Sequence, residues 1–296
     1  MEKLVSPKIT KEIVERFGFK FSKSLGQNFL IDENILCKIV DGAEVSKEDG
    51  VIEIGPGIGT LTQFLAERAG KVVAVEIDKK LIPILGETLK DEANVELIHQ
   101  DVLKTDLHKL VEEKFSGQSV KVIANLPYYV TTPIIMKFLE EKVPVSTIVV
   151  MIQKEVADRM QAKPGTKDYG SLSVAVQYYC DPKIITKVPR SVFIPQPNVE
   201  STVIRLSVLK EPKVKVKDED LMFDMVRAAF GKRRKTLLNA LTSSGLGFEK
   251  EDIKEILKKS NIDEARRGET LSIEEFAELA DCAYPYRHKE QKHFML

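Results

Sequence analysis

The chain has 296 residues, 45 Lys and Arg against 45 Asp and Glu, and 43% hydrophobic and 30% charged residues. At roughly 150 residues per domain this length suits one large domain, or a large one with a smaller appendage, and the composition excludes a wholly disordered chain. Cys37, Cys180 and Cys282 lie far apart and form no CxxC pair, which argues against a disulfide framework or a zinc knuckle, so no metal is expected.

The amino terminus mixes charge with Pro7 and lacks the apolar run of a secretory signal. The longest greasy stretch, Ser146 to Ile152, falls far below the roughly 18 residues of a membrane span. A cytoplasmic protein without membrane contact is expected. Lys3, Lys8, Lys11, Arg16, Lys20 and Lys23 make the first segment basic, although the chain as a whole is neutral. One basic face suffices for a nucleic-acid partner, whereas a lone basic run is ordinarily a solvated helix face.

From Val51 onward short apolar runs alternate with helical stretches, the sign of βαβ units and a mostly parallel sheet. Strands are predicted at Val51 to Ile54, Lys71 to Val75, Val95 to Ile98, Val120 to Ala124 and Thr147 to Ile152. Helices are predicted at Leu61 to Arg68, Lys79 to Lys90, Pro133 to Glu141 and Lys154 to Ala162. Leu172 to Tyr179 fits helix and strand equally by periodicity. Lys183 to Val188 and Thr202 to Val208, on either side of a proline-rich loop, are read as a closing antiparallel pair.

Leu209 to Asp218 is charged and linker-like, and beyond it only helical patterns occur: Glu219 to Phe230, Lys235 to Leu241, Lys250 to Lys259 and Ile273 to Ala283. Ser272 and Glu275 have capping-box spacing at the last of these. A boundary near residue 210 follows, dividing the chain into 1–209 and an all-α 210–296, with a poorly ordered tail after Tyr284. The run Gly231 to Lys235, preceded by Arg227, meets no carboxylate until Glu249.

The strongest local signal is the glycine-rich turn Gly55-Pro-Gly57-Ile-Gly59 between a predicted strand and a predicted helix, with Glu53 in front. Glycines let backbone approach a ligand closely at the carboxyl ends of the strands of an open α/β sheet. Glu76 ends the next strand, roughly twenty residues on, where a carboxylate can accept both hydroxyls of a nucleoside ribose. The dinucleotide fingerprint G-x-G-x-x-G is not met, since this loop reads G-x-G-x-G. A methyltransferase binding S-adenosyl-L-methionine is favoured, with a dehydrogenase as the alternative.

Asp101, after the third strand, can accept from the exocyclic amine of the cofactor's adenine, or simply cap a turn. Asn125-Leu126-Pro127-Tyr128-Tyr129 ends the fourth strand and points into the same crevice. An exocyclic adenine amine is a poor nucleophile because its lone pair is delocalised into the ring. Two acceptors aimed at its N–H groups, the Asn125 side-chain oxygen and the Leu126 carbonyl fixed ahead of Pro127, stabilise the charge that develops as a methyl is transferred. Tyr128 offers a stacking face. Phe193, in a loop stiffened by Pro195 and Pro197, can face the other side of an extruded base, or serve as an ordinary core residue.

On these residues the chain resembles the KsgA/RsmA family of small-subunit ribosomal RNA adenine N6,N6-dimethyltransferases. Ser24 to Leu30 is similar to the family's amino-terminal cofactor motif, Glu53 to Thr62 to its glycine loop, Asn125 to Tyr129 to its catalytic motif and Phe193 to Ser201 to its target-base loop. Gly231 to Asn239 and Arg267 to Phe276 resemble its carboxyl segments. Gly268 departs from the bulkier residue usual there, leaving only local helix-cap geometry in doubt. The resemblance implies a Rossmann-like class I methyltransferase sheet with a small all-α C-terminal domain. It also implies transfer of two methyls to each of two adjacent adenines in a hairpin loop near the 3′ end of 16S rRNA.

The resemblance further implies that Gln27, Asn28, Leu30, Gly55, Gly57, Glu76, Asp101 and Asn125 bind S-adenosyl-L-methionine. Asn125, Leu126, Pro127, Tyr128 and Phe193 would form the catalytic set. Lys20, Lys23, Arg227, Lys232, Arg233, Arg234 and Lys235 would bind RNA, the partner being an immature 30S particle and the protein a monomer. An Erm-type enzyme acting on large-subunit rRNA, and an assembly factor whose docking matters more than methylation, are the alternatives.

Overall fold

The computed structural model describes residues 4–22 and 25–287. In chain order these form α1 (Pro7–Arg16), β1 (Phe29–Leu30), α2 (Glu33–Gly42), β2 (Asp49–Ile54), α3 (Thr60–Arg68), β3 (Lys71–Glu76), α4 (Ile82–Thr88), β4 (Val95–His99), α5 (Leu107–Phe115) and β5 (Ser119–Asn125). There follow α6 (Thr131–Glu140), β6 (Thr147–Gln153), α7 (Lys154–Met160), α8 (Ser171–Tyr179), β7 (Cys180–Val188), β8 (Phe193–Ile194) and β9 (Ser201–Val208). The remainder is helical: α9 (Glu219–Gly231), α10 (Leu237–Thr242), α11 (Lys250–Lys259) and α12 (Ile273–Ala283).

Among the described residues two compact units result, one of those up to Ala157 with Asp181–Val208, the other of Asp158–Cys180 with those from Leu209 to Arg287. The first is built on a seven-stranded sheet in the order β4-β3-β2-β5-β6-β9-β7. From β4 to β6 the pairs are parallel, and β9 joins β6 antiparallel. Strand β2 is buried along its length, as expected where helices cover both faces of a parallel sheet. The register sets Ile54 against Val75 on one side and Ala124 on the other, so β2, β3 and β5 end level. Their carboxyl ends therefore deliver the glycine turn, Glu76 and Asn125 to one edge.

Leu36, Ile39, Val51, Leu65, Val72, Ile123 and Val149, all buried, belong to one core cluster of this unit. Phe19 and Phe29 pack with Ile58, Leu81, Ile84 and Leu85 in a second. The second cluster fixes the amino-terminal segment to the sheet unit. Helices α1, α2 and α5 were not expected. Their starts carry side-chain caps, with Ser6 Oγ accepting from Ile9 N at 3.1 Å, Asp32 Oδ1 from Ile35 N at 3.0 Å and Asp106 Oδ1 from Lys109 N at 3.0 Å. Helix α4 is shorter than the predicted 79–90, because the turn at Asp78 comes first and Pro83 occupies its first turn.

The ambiguous stretch after Gly170 is helix α8, and it belongs to the helical unit. Tyr179 and Tyr178 both donate to Glu219, at 2.5 and 3.2 Å, while Leu209 N and Lys213 N donate to the carbonyls of Tyr179 and Tyr178, each at 2.9 Å. The expected division into 1–209 and 210–296 is corrected accordingly: Asp158–Cys180 clusters with the carboxyl-terminal helices, because its buried tyrosines find their hydrogen-bond partners there. The charged stretch 209–218 is irregular but bonded along its length to this unit, Lys217 N donating to Asp281 at 2.8 Å. The Ser272 and Glu275 box forms, with bonds of 3.1 and 2.8 Å. At Gly268 a Cβ would stand 2.9 Å from the Cβ and carbonyl oxygen of Ala229, so the glycine answers a close approach to α9 rather than a cap. Tyr284–Tyr286 form a short 3-10 turn, and the rest of the tail, from residue 288, lies outside the described residues.

Candidate active site

A cavity opens at the carboxyl edge of the sheet, and every residue expected at the cofactor or the reacting base lines it: Gln27, Asn28, Leu30, Gly55, Gly57, Glu76, Asp101, Asn125, Leu126, Pro127, Tyr128 and Phe193. The whole lining belongs to the sheet unit. The glycine turn has positive φ at Gly55, Gly57 and Gly59, of 68°, 63° and 92°, which side chains rarely adopt. A Cβ on Gly55 would meet nothing within 4 Å, whereas one on Gly57 would press on the Phe29 ring at 3.1 Å. The turn thus leaves space at Gly55 and takes close packing at Gly57.

Two carboxyls stand over the turn. Glu76 is buried, and its Oε1 accepts from Asp78 N at 2.7 Å. Burial raises its pKa to about 6, with the charge of Asp78 adding to it against backbone amides that favour the carboxylate. Glu53, 1% exposed at the end of β2, is pushed up to about 8 by burial and then by the nearby Glu76. Its Oε2 has no hydrogen-bond partner among the described residues, although the Thr62 hydroxyl lies near enough to favour the carboxylate. A buried, partnerless carboxyl oxygen beside a ligand-sized cavity fits a polar group supplied by a ligand. Asp101 sits at the cavity as a turn cap. Its side chain caps the following turn, accepting from Leu103 N at 3.0 Å, and it also lines the cavity.

Asn125 ends β5 with its amide oriented by the protein, Nδ2 donating to the Asn28 carbonyl at 3.1 Å. That bond fixes which end is which: the nitrogen is engaged, and Oδ1 is the acceptor left over. Leu126 N donates to Met151 O at 3.3 Å, anchoring the backbone just ahead of Pro127. Tyr128 shares a hydrogen bond of 2.8 Å with Ser201, so β9 pins its hydroxyl while burial raises its pKa. Phe193 is 3% exposed and pairs through β8 with Leu30 of β1, so it is at once a core residue and part of the cavity wall.

Gln27 is held at both ends within the protein, its Oε1 accepting from Ser22 N and its Nε2 donating to Asp78 Oδ2, both at 2.8 Å. Tyr129, 56% exposed and part of the expected motif though given no role of its own, and Ile77, 50% exposed and not singled out, also line the cavity. Each follows a singled-out residue, and adjacency was the signal available. Ser201 and Asp78 acquire their parts only through contacts across long sequence separations.

The expected RNA-binding residues divide. Lys20 is exposed in the sheet unit, and Lys23 lies outside the described residues. In the helical unit Arg233 is occupied, its Nε donating to Glu269 at 2.8 Å and its guanidinium also to the Lys167 carbonyl. Arg227 pairs with Asp224 at 2.6 Å. Lys232, Arg234 and Lys235 are exposed and have no side-chain partner among the described residues.

A family model of ribosomal RNA adenine dimethylases matches residues 18–279. A protein of Alkaliphilus oremlandii named ribosomal RNA small subunit methyltransferase A is 70% identical over 281 residues, covering 95% of this chain and 98% of that one. One of the same name from Clostridioides difficile is 62% identical over 282 residues, covering 95% and 97%. Among solved structures, a dimethyladenosine transferase from Plasmodium falciparum is similar with a TM-score of 0.72 at 27% identity, over 85% of this chain and 95% of that one. The 23S rRNA methyltransferase ErmE follows with a TM-score of 0.64 at 25% identity, over 86% and 98%. Sheet, glycine turn and Asn-Leu-Pro-Tyr corner thus occur in a chain that matches the family model through both units, and it belongs to the ribosomal RNA adenine dimethylase family.

Proposed function

We propose that the protein uses S-adenosyl-L-methionine to dimethylate the N6 amines of two adjacent adenines in a hairpin loop near the 3′ end of 16S rRNA, in an immature small subunit. The observation that carries this reading is the oriented Asn125 amide. With Nδ2 donating to the Asn28 carbonyl, Oδ1 is the acceptor end left to Asn125, and Asn125 and Leu126 both line the cavity, where Oδ1 and the Leu126 carbonyl would serve as the two acceptors. Two acceptors in a site shielded from water take the two N–H groups of an adenine amine and stabilise the positive charge that grows on its nitrogen. No general base is needed at the start, because the ammonium product is acidic enough to release its proton to water. Tyr128, steadied by Ser201, supplies one stacking face, and Phe193 backs the other.

The cavity's own residues suit the cofactor. Glu76 would take the ribose hydroxyls, Asp101 the adenine amine, and Gly55 would admit the backbone-side approach while Gly57 lets the turn pack on Phe29 beside it, with Asn28 and Leu30 closing the wall. The partnerless Glu53 oxygen matches the zwitterionic end of such a ligand. S-adenosyl-L-methionine, when bound, supplies an electrophilic methyl on a sulfonium sulfur. On this reading the protein works as a monomer in the cytoplasm, where its substrate is assembled, and Lys232, Arg234 and Lys235 meet RNA phosphates.

The names of the relatives at 70% and 62% identity favour the small subunit over the large-subunit rRNA of the ErmE-like alternative. Immature small subunits and naked large-subunit RNA offered in parallel with labelled cofactor decide between them. Dimethyladenosine mapped to adjacent positions of 16S rRNA is expected, and labelling confined to large-subunit RNA would overturn the proposal. Asn125→Ala is expected to lower the methylation rate by at least about 100-fold, the usual cost of a lost transition-state hydrogen-bond partner. Subunit binding should stay within a few fold, which separates catalysis from docking.

A further inference from the structure

We infer that Gln27 and Asp78 form a latch that holds the segment 25–30 against the cavity and thereby sets how long the cavity retains its nucleoside ligand. This rests on the cofactor reading proposed above. The two side chains are 51 residues apart and meet at 2.8 Å, Gln27 Nε2 donating to Asp78 Oδ2. Each is also tied to its own side. Gln27 Oε1 accepts from Ser22 N at 2.8 Å, and Asp78 Oδ1 accepts from Lys80 N at 3.0 Å. Asp78 is 8% exposed, and its backbone N–H holds Glu76 Oε1 at 2.7 Å, so the latch ends on the turn that sets the ribose-facing carboxyl.

Residues 25–30 contribute a continuous stretch of the cavity wall. Among the described residues their other long-range hydrogen bonds are the Asn125 bond to the Asn28 carbonyl and the two-residue pairing of β1 with β8, while Phe29 and Leu30 also pack into the two core clusters. A bond from an amide to a buried carboxylate is among the stronger single hydrogen bonds a protein makes. Both ends of Gln27 are used inside the protein, so it acts as a positioning residue, and so does Asp78. Neither needs to touch the ligand.

The polarity of the latch can be reversed without changing its shape. Gln27→Glu alone sets two carboxylates face to face, and Asp78→Asn alone leaves a single acceptor oxygen for two donors, so either the bond from Gln27 Nε2 or the one from Lys80 N is lost. Together the substitutions restore one donor and one acceptor: the new amide at 78 donates to the new carboxylate at 27, which still accepts from Ser22 N, and the net charge is unchanged.

The affinity and dissociation rate of S-adenosyl-L-homocysteine, measured by titration calorimetry and stopped flow on the full chain, test this. Each single substitution is expected to weaken binding about tenfold, chiefly through faster dissociation, and the double substitution to return it to within about threefold. Gln27→Met keeps the length and loses both bonds. It is expected to show the same loss, and serves if Gln27→Glu does not fold. Wild-type affinity in the single variants, or a double variant as weak as the sum of the two, would overturn the latch. Failure of the wild-type protein to bind would instead remove the cofactor reading beneath it.

Discussion

Glu53 is where a single residue departs furthest from its ordinary chemistry. Its pKa in the folded protein is about 8, against 4.5 ordinarily, because burial penalises the charge. The folded state therefore holds a proton that the unfolded state has released between those values. The resulting stability is full below about pH 4.5 and is lost as pH rises through about 8. At about 1.4 kcal/mol per pH unit inside that window, the ligand-free protein should lose about 2 kcal/mol between pH 6 and 8 from this group. Glu53→Gln should lack that loss, and denaturant titrations of both proteins at the two pH values measure the difference. Equal pH dependence in the two would mean that Glu53 is ionised in the ligand-free cavity. The spacing of Glu53, Gly55, Glu76 and Asn125 marked them in the sequence, but which end of the Asn125 amide the protein engages depended on the Asn28 carbonyl 97 residues away.

Among the elements, those with strong apolar periods were legible: β2 to β6, α3, α9, α11 and α12 begin and end within a few residues of expectation. Helix α1 was not, because its helical stretch carries little apolar residue beyond Ile9, Ile13 and Val14, and its burial comes from the aromatic cluster around Phe19 and Phe29. Nor were β1 and β8, two residues each, which exist only because they pair with one another.

Gly268 gains its meaning at this scale. Ala at 268 must push on the backbone of α9, and Gly268→Ala should cost about 1–3 kcal/mol, as overpacking usually does, read from a denaturant midpoint. The basic run also resolves by element. Replacing Arg234 and Lys235 by Glu is expected to weaken rRNA binding and to lower the slope of log affinity against log salt by about 1–2, with melting unchanged. Arg233→Glu should instead lower the melting temperature, since it loses Glu269 and the Lys167 carbonyl. An unaltered salt slope in the first variant would make Arg234 and Lys235 bystanders.

For the molecule as a whole, a ligand that binds only the folded cavity raises stability by mass action. S-adenosyl-L-homocysteine at a hundredfold its dissociation constant should add about 2.7 kcal/mol, and NAD at the same concentration should add none. A thermal shift with NAD alone would reverse the cofactor assignment.

The sequence by itself determined the alternation of strands and helices, the glycine turn and the carboxylates after successive strands, because these are local patterns of side-chain period and backbone freedom. It could not determine that Asp158–Cys180 joins the carboxyl-terminal helices, that Arg233 is spent on Glu269, or that Gln27 is spent on Asp78. Those outcomes rest on hydrogen bonds between residues far apart in the chain, and a buried polar group takes whichever partner the packed fold brings within reach.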